Sequence, residues 1–259
     1  MALPLRPGAV YRLLKELKTG VGDEGPLCVT GPPVLVEALR RDLADGAAPG
    51  AVREGFSRDA AALVHVLAAA PSDDDRRVLK EADKARVPVA AVLAGPGLDP
   101  RVPYVLATDV VVVAPGSPFP VEEIAGVLAR RLGEGGTSLA SRVPAVRAAV
   151  CAELIARVSR RNGLLGAAIF IPGADFPVLT LNQLRLVLRI GAAHGVEIDN
   201  DRLPEVMSVI GSGLVLRAAA RQALGVVPVA GWAVKGGIAY AGTRALGEAA
   251  VRYFAARTQ

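Results

Sequence analysis

Between residues 26 and 132, short runs rich in Val, Ala and Leu alternate with amphipathic stretches, and this alternation limits the fold more than any other feature of the chain. LCVT at 27–30, the run 61–69, VPVAAVL at 87–93 and DVVVV at 109–113 are apolar without a polar residue at every second position. Strands of that kind are covered on both faces. Alternation with helices delivers them parallel, with helices above and below the sheet. Helices are expected at 34–43, from Ser72 to about residue 84, and at 121–132. Ser72 is the expected N-cap of the second, and Asp73, Asp74 and Asp75 suit the positive end of its dipole. The expected fold class is α/β, a doubly wound, mainly parallel sheet.

The pattern stops at residues 133–136, Gly-Glu-Gly-Gly. Beyond them the only strand-like run is short, at 168–171. A long helix is expected over 139–161, and another over 180–194, opened by a capping box between Thr180 and Gln183. Further helices are expected at about 204–224 and 232–255, divided by Gly225 and Pro228. The division is therefore a leading amphipathic helix and linker (1–25), an α/β domain (26–133) and an all-α helical domain (137–259). Ala233, Gly237, Ala241, Ala245 and Ala249 recur every four residues, a stripe along which helix backbones can approach closely. The chain has 259 residues, just over half of them hydrophobic, enough for two packed domains and too apolar for disorder.

Charge is unevenly placed. Residues 1–133 hold 16 basic and 17 acidic side chains, and 134–259 hold 14 and 8 of the chain's 30 and 25. The basic excess thus lies in the helical part, where it suits solvated helix faces or an anionic membrane surface. Without a Lys/Arg run or interleaved aromatics, nucleic-acid binding is not expected. Cys28 and Cys151 sit far apart in apolar runs, a pattern for buried thiols and not for a disulfide framework or zinc site. Residues 1–8 lack the features of a secretion signal, so a cytoplasmic location is expected. Residues 222–243 carry one charge, Lys235, over a length that could span a bilayer. Pro228, five glycines and flanking arginines favour a buried small-residue helix instead.

No catalytic residue, cofactor or metal site is expected. After the first strand, Gly31, Pro32, Pro33 and Val34 stand where a phosphate-binding loop would carry glycines and a Lys-Ser/Thr pair, and the two prolines delete two donors. Asp73, Asp74 and Asp75 are weak metal candidates beside the simpler role of a helix cap. His65 is expected to be a packed core residue, and His194 to end a helix before Gly195. The passage Pro172, Gly173, Ala174, Asp175 and Pro177, leading to Asn182 and Gln183, is expected to be a structural or partner site. Arg217, Arg221 and Glu248 belong with it, because a buried Asp175 or Arg needs an opposite charge.

At these residues a resemblance enters. Residues 59–99 resemble the middle of an Era-like GTPase: strand ALVHVLAA, acidic helix, then strand VPVAAVLAGPGLD. In such a domain guanine would be read by an Asn-Lys-x-Asp motif near Gly95, of which Asp99 alone matches, and Gly31 would stand in the phosphate loop. Residues 170–254, through PGADFPVLTLNQ and VPVAGWAVKGGIAYAGTRALGEAA, are similar to a helical domain of unknown function found after bacterial GTPase domains. The whole resembles an uncharacterised actinobacterial family pairing the two. The resemblance implies a P-loop-like fold with its nucleotide motifs degraded: a non-catalytic pseudo-GTPase that binds or scaffolds, self-associating or meeting a protein partner or membrane surface through its helical half. The competing expectations are a nucleotide-binding or slowly hydrolysing switch, and an integral membrane or pore-forming protein.

Overall fold

Five stretches of backbone pair into one parallel sheet in the computed structural model, which describes residues 25–114, 116–168, 176–196 and 231–257. The strands are β1 (Leu27–Thr30), β2 (Val52–Glu54), β3 (Ala62–Leu67), β4 (Val89–Leu93) and β5 (Val110–Val112), in the order β2-β1-β3-β4-β5. Leu27 stands opposite both Val52 and Ala62, and Thr30 opposite His65. All six residues of β3 and all five of β4 are buried, the physical reason their runs lack polar alternation. Four strands were expected, and β2 is the addition. It is a three-residue edge strand with Arg53 and Glu54 exposed, so no hydrophobic signal marks it.

Three helices cover the sheet: α1 (Pro33–Leu43), α2 (Asp73–Ala85) and α3 (Val121–Leu132). Pro33 opens α1 where its missing N–H costs nothing, and Val36, Leu39 and Leu43 form its buried stripe. Leu79 and Ala82 of α2 join Cys28, Leu63, Leu67, Ala91 and Leu93 in one core cluster. From β1 the chain moves to β2 at one edge, and from β3 to β4 toward the other. Right-handed crossovers in opposite directions put α1 and α2 on opposite faces, which is what doubly wound means.

The chain divides into two compact units, one ending at Val150 and the other taking up residues from Cys151 onward. The α/β unit therefore runs past the glycines at 133–136. The single helix expected over 139–161 is two, α4 (Gly136–Arg142) and α5 (Pro144–Ala168). Pro144 explains the break: it lacks an N–H and pushes Val143 into extended backbone, with φ −124° and ψ 92°. Arg142 holds α4 to the sheet unit, its guanidinium donating to the Gly25 carbonyl at 2.8 Å and its own carbonyl accepting from Ala48 at 2.8 Å.

The helical unit contains the later turns of α5, then α6 (Phe176–Ala193) and α7 (Gly231–Ala255). Helix α6 starts a full turn before Thr180, so the expected capping box does not form the helix end. Pro177 in the first turn replaces it, in a position that needs no N–H donor. At the other end Gly195, at φ 72°, lets Val196 donate back to the Gly191 carbonyl, as the sequence implied. The expected small-residue stripe is not the contact face: Gly237 and Ala241 are exposed. Close approach runs instead through Gly236 and Gly247. A Cβ on Gly236 would lie 2.8 Å from the Gly163 carbonyl oxygen, and one on Gly247 2.5 Å from Ile155 Cγ1. The expected helix at 204–224 lies outside the described residues, as do Asp175, Arg217 and Arg221. Among the described residues no helix is long and apolar enough to cross a membrane.

These two glycine positions predict opposite outcomes for one substitution. Gly247→Ala forces a methyl against the stiff, β-branched Ile155 and should destabilise by about 1–3 kcal/mol. Gly237→Ala meets nothing within 4 Å and should stabilise by up to about 1 kcal/mol through helix propensity. Chemical denaturation of both variants checks the pair.

Candidate functional site

Strand order reverses between β1 and β3, and their carboxyl ends form the crevice where open α/β sheets take ligands. Here the loops that leave the strands pack backbone against backbone. Gly31 has φ 134°, and a Cβ on it would lie 2.3 Å from the Val66 carbonyl oxygen. Gly95, after β4, is similarly close to the Ala68 carbonyl oxygen, at 2.2 Å. The first turn of α1 offers little to an anion. Pro32 and Pro33 have no N–H, and Leu35 and Val36 both donate to the Pro32 carbonyl, at 3.0 and 2.9 Å. Val34 is left as the one free amide of that turn among the described residues. Asp99, expected as the one match to a guanine-reading motif, is turned to Arg101, whose backbone N–H donates to its Oδ1 at 2.9 Å. The Arg101 side chain, hydrogen-bonded to it, holds that exposed carboxyl below the usual range.

The three consecutive aspartates separate in role. Asp73 and Asp74 are exposed, and Asp74 pairs with Arg77 at 2.8 Å. Asp75 closes a capping box. Its N–H donates to the Ser72 hydroxyl at 3.2 Å, and its Oδ2 accepts from the Ser72 backbone N–H at 2.8 Å. Its other oxygen stands 3.1 Å from His65 Nε2, off the line of an N–H bond, so the contact is electrostatic and not an aligned hydrogen bond. His65 Nδ1 is 2.7 Å from Thr30 Oγ1. One tautomer suits these neighbours: the proton sits on Nε2, on the Asp75 side, and Nδ1 accepts from the Thr30 hydroxyl. His65 is 1% exposed. Burial pushes its imidazole below its ordinary value, and the Asp75 carboxylate opposes that shift without cancelling it. For Asp75 burial acts upward, but the Ser72 hydroxyl and amide and the nearby His65 bring the carboxyl below its usual range.

Thr30, His65 and Asp75 thus link the end of β1, the interior of β3 and the start of α2. The sequence placed His65 in the core and Asp75 in a helix cap, and both positions hold. It did not single out Thr30, because the link depends on β1–β3 register and no local pattern encodes it. Among the described residues no group of three or more His, Cys, Asp or Glu side chains could hold a metal ion.

In the helical unit, Asn182 and Gln183 enter a second polar cluster. The Asn182 amide donates to Asn162 Oδ1 at 2.8 Å, and Asn162 in turn donates to Thr243 Oγ1 at 3.0 Å. Gln183 donates to the same hydroxyl oxygen at 3.1 Å. Asn162 and Thr243 are fully buried, and Ser159, one turn away on α5, is buried with its hydroxyl unpartnered. Sequence reasoning missed Asn162 and Thr243, which lie in helices of unremarkable local pattern. Glu248 is not in this cluster; it pairs with Arg244 at 2.9 Å on the half-exposed side of α7. Compared with family models, curated proteins and solved structures, the chain matches none.

Two measurements follow from these clusters. In the unfolded chain His65 takes up its proton near pH 6.5, and in the folded chain only at lower pH. The unfolded state therefore binds more protons as pH falls through that range, and stability declines below about pH 6.5. Asp75, whose folded value is depressed, adds a loss in the same direction at still lower pH. His65→Gln should flatten the dependence of unfolding free energy between pH 7 and 5, by at most about 1.4 kcal/mol per pH unit for one proton. An unaltered slope in denaturant melts would exclude His65 as its source. Thr243→Val leaves the Asn162 and Gln183 amides without their shared acceptor and should cost about 1–3 kcal/mol in the same assay.

Proposed function

We propose that this chain is a pseudo-GTPase-like protein that works by binding and not by nucleotide turnover, its helical part meeting a protein partner, a second copy or an anionic membrane surface. The observation that carries this reading is the turn between β1 and α1. Two prolines and two amides already committed to the Pro32 carbonyl leave one first-turn donor where a phosphate cradle needs several. The Gly31 backbone, close against Val66, narrows the same place. In this reading the chain belongs with the actinobacterial family that pairs a degraded Era-like domain with a helical domain of unknown function. The basic excess of residues 134–259 supports the helical part as the contact surface.

Calorimetric titration with GTP and with ATP, each with Mg²⁺, should give no heat of binding at millimolar nucleotide. Micromolar binding that Asp74→Ala abolishes would replace this reading with that of a metal-dependent nucleotide switch.

A further inference from the structure

At the end of the sheet opposite the crevice, a cavity of about 310 Å³ opens where β4 and β5 begin. Val87 and Val89 line its apolar part, and the end of α2 and the loop around Tyr104 form its walls. That loop is strained. Val102, Pro103, Tyr104 and Val105 make a turn closed by the Val105 N–H donating to the Val102 carbonyl at 3.3 Å, with Tyr104 at φ 63° in the third position. Proline followed by a positive φ is type II geometry, in which the third position strongly favours glycine. A bulky aromatic there is an outlier. Core packing does not offset the strain, because Tyr104 is 52% exposed. Among the described residues only Arg86 and Tyr104 have positive φ without being glycine, and both line this cavity. Retained backbone strain at a concavity is a mark of ligand sites.

Four charged residues line the cavity. Asp109, 4% exposed, lies 3.4 Å from the Arg131 guanidinium, so these two neutralise each other. Asp83 and Arg86 are exposed, line the same cavity and form no ion pair among the described residues. One free charge of each sign repels a purely anionic or purely cationic ligand at one of the two and accepts a zwitterion at both. The volume is at the small end of ligand pockets, right for one amino-acid-sized molecule and too small for a dinucleotide.

The geometry points to a binding site for a free zwitterionic amino acid with an aromatic side chain. Its carboxylate meets Arg86, its ammonium meets Asp83, and its ring lies against Tyr104 and Leu106 above Val87 and Val89. This site is independent of the crevice and of the nucleotide question.

Saturation-transfer NMR and calorimetry on the full chain test it with three probes: phenylalanine, its cationic amide and anionic 3-phenylpropionate. Phenylalanine should bind, with each singly charged analogue at least tenfold weaker. Tyr104→Gly relieves the turn, so its melting temperature should hold or rise while phenylalanine affinity falls at least tenfold. Arg86→Gln, at an exposed position, should lower phenylalanine affinity to that of the amide. The proposal is overturned if phenylalanine fails to bind at millimolar concentration, if an analogue binds as tightly, or if affinity survives either substitution.

Discussion

Strand β1 is paired on both sides, with β2 through Leu27 and Val52 and with β3 through Leu27 and Ala62, and its first three residues are fully buried. A parallel strand in that position needs a cover on each face, and the chain supplies one by leaving β1 toward one edge and β3 toward the other. The crevice end of the α/β unit depends on this pairing. It sets the reversal of strand order, brings Thr30 opposite His65, and brings the Gly31 backbone against Val66. At the end of the sheet where other open sheets take ligands, this pairing sets closely approaching main chain and a Thr–His–Asp line. A buried neutral imidazole is what the interior can hold without a counter-charge of its own.

The helical unit solves a different problem. Its helices carry apolar residues on more than one face, with Arg157, Arg160 and Arg244 exposed, so a hydrophobic stripe alone leaves their rotation and register poorly specified. Three glycine positions and one buried amide-hydroxyl cluster supply the missing information. Gly163 and Gly236 permit backbone contact at one level, and Gly247 against Ile155 fixes another. Between them Asn162, Asn182, Gln183 and Thr243 satisfy one another in a single arrangement. Buried polar groups of this kind are costly when mismatched, which makes the correct register the only inexpensive one.

Much of the fold was legible because burial leaves a pattern in composition. The helix at 121–132 and the strands around β3 and β4 followed from runs of Val, Leu and Ala with the right periodicity, and Ser72 before three aspartates declared itself as a helix cap. Strand β2 was invisible because an exposed three-residue edge needs no particular side chains. The break at Pro144 was overlooked inside a favourable helical pattern, although proline alone could have signalled it. The stripe at 233–249 was misplaced because small residues lie on more than one side of α7, and only the neighbouring helices select the side that is approached.

The sequence by itself determined the class of the first unit, the presence of a helical second one, and the lack of backbone donors at Pro32 and Pro33, since a proline has no N–H in any conformation. Those are properties of single residues or of local periodicity, and they survive any arrangement of the rest. Tertiary structure alone decided the Thr30–His65–Asp75 line, the Asn162–Thr243 cluster and the cavity beside Tyr104. Each joins residues from different elements through strand register, helix rotation or a turn's handedness. Those quantities are fixed by packing of the whole chain, and no segment carries them on its own.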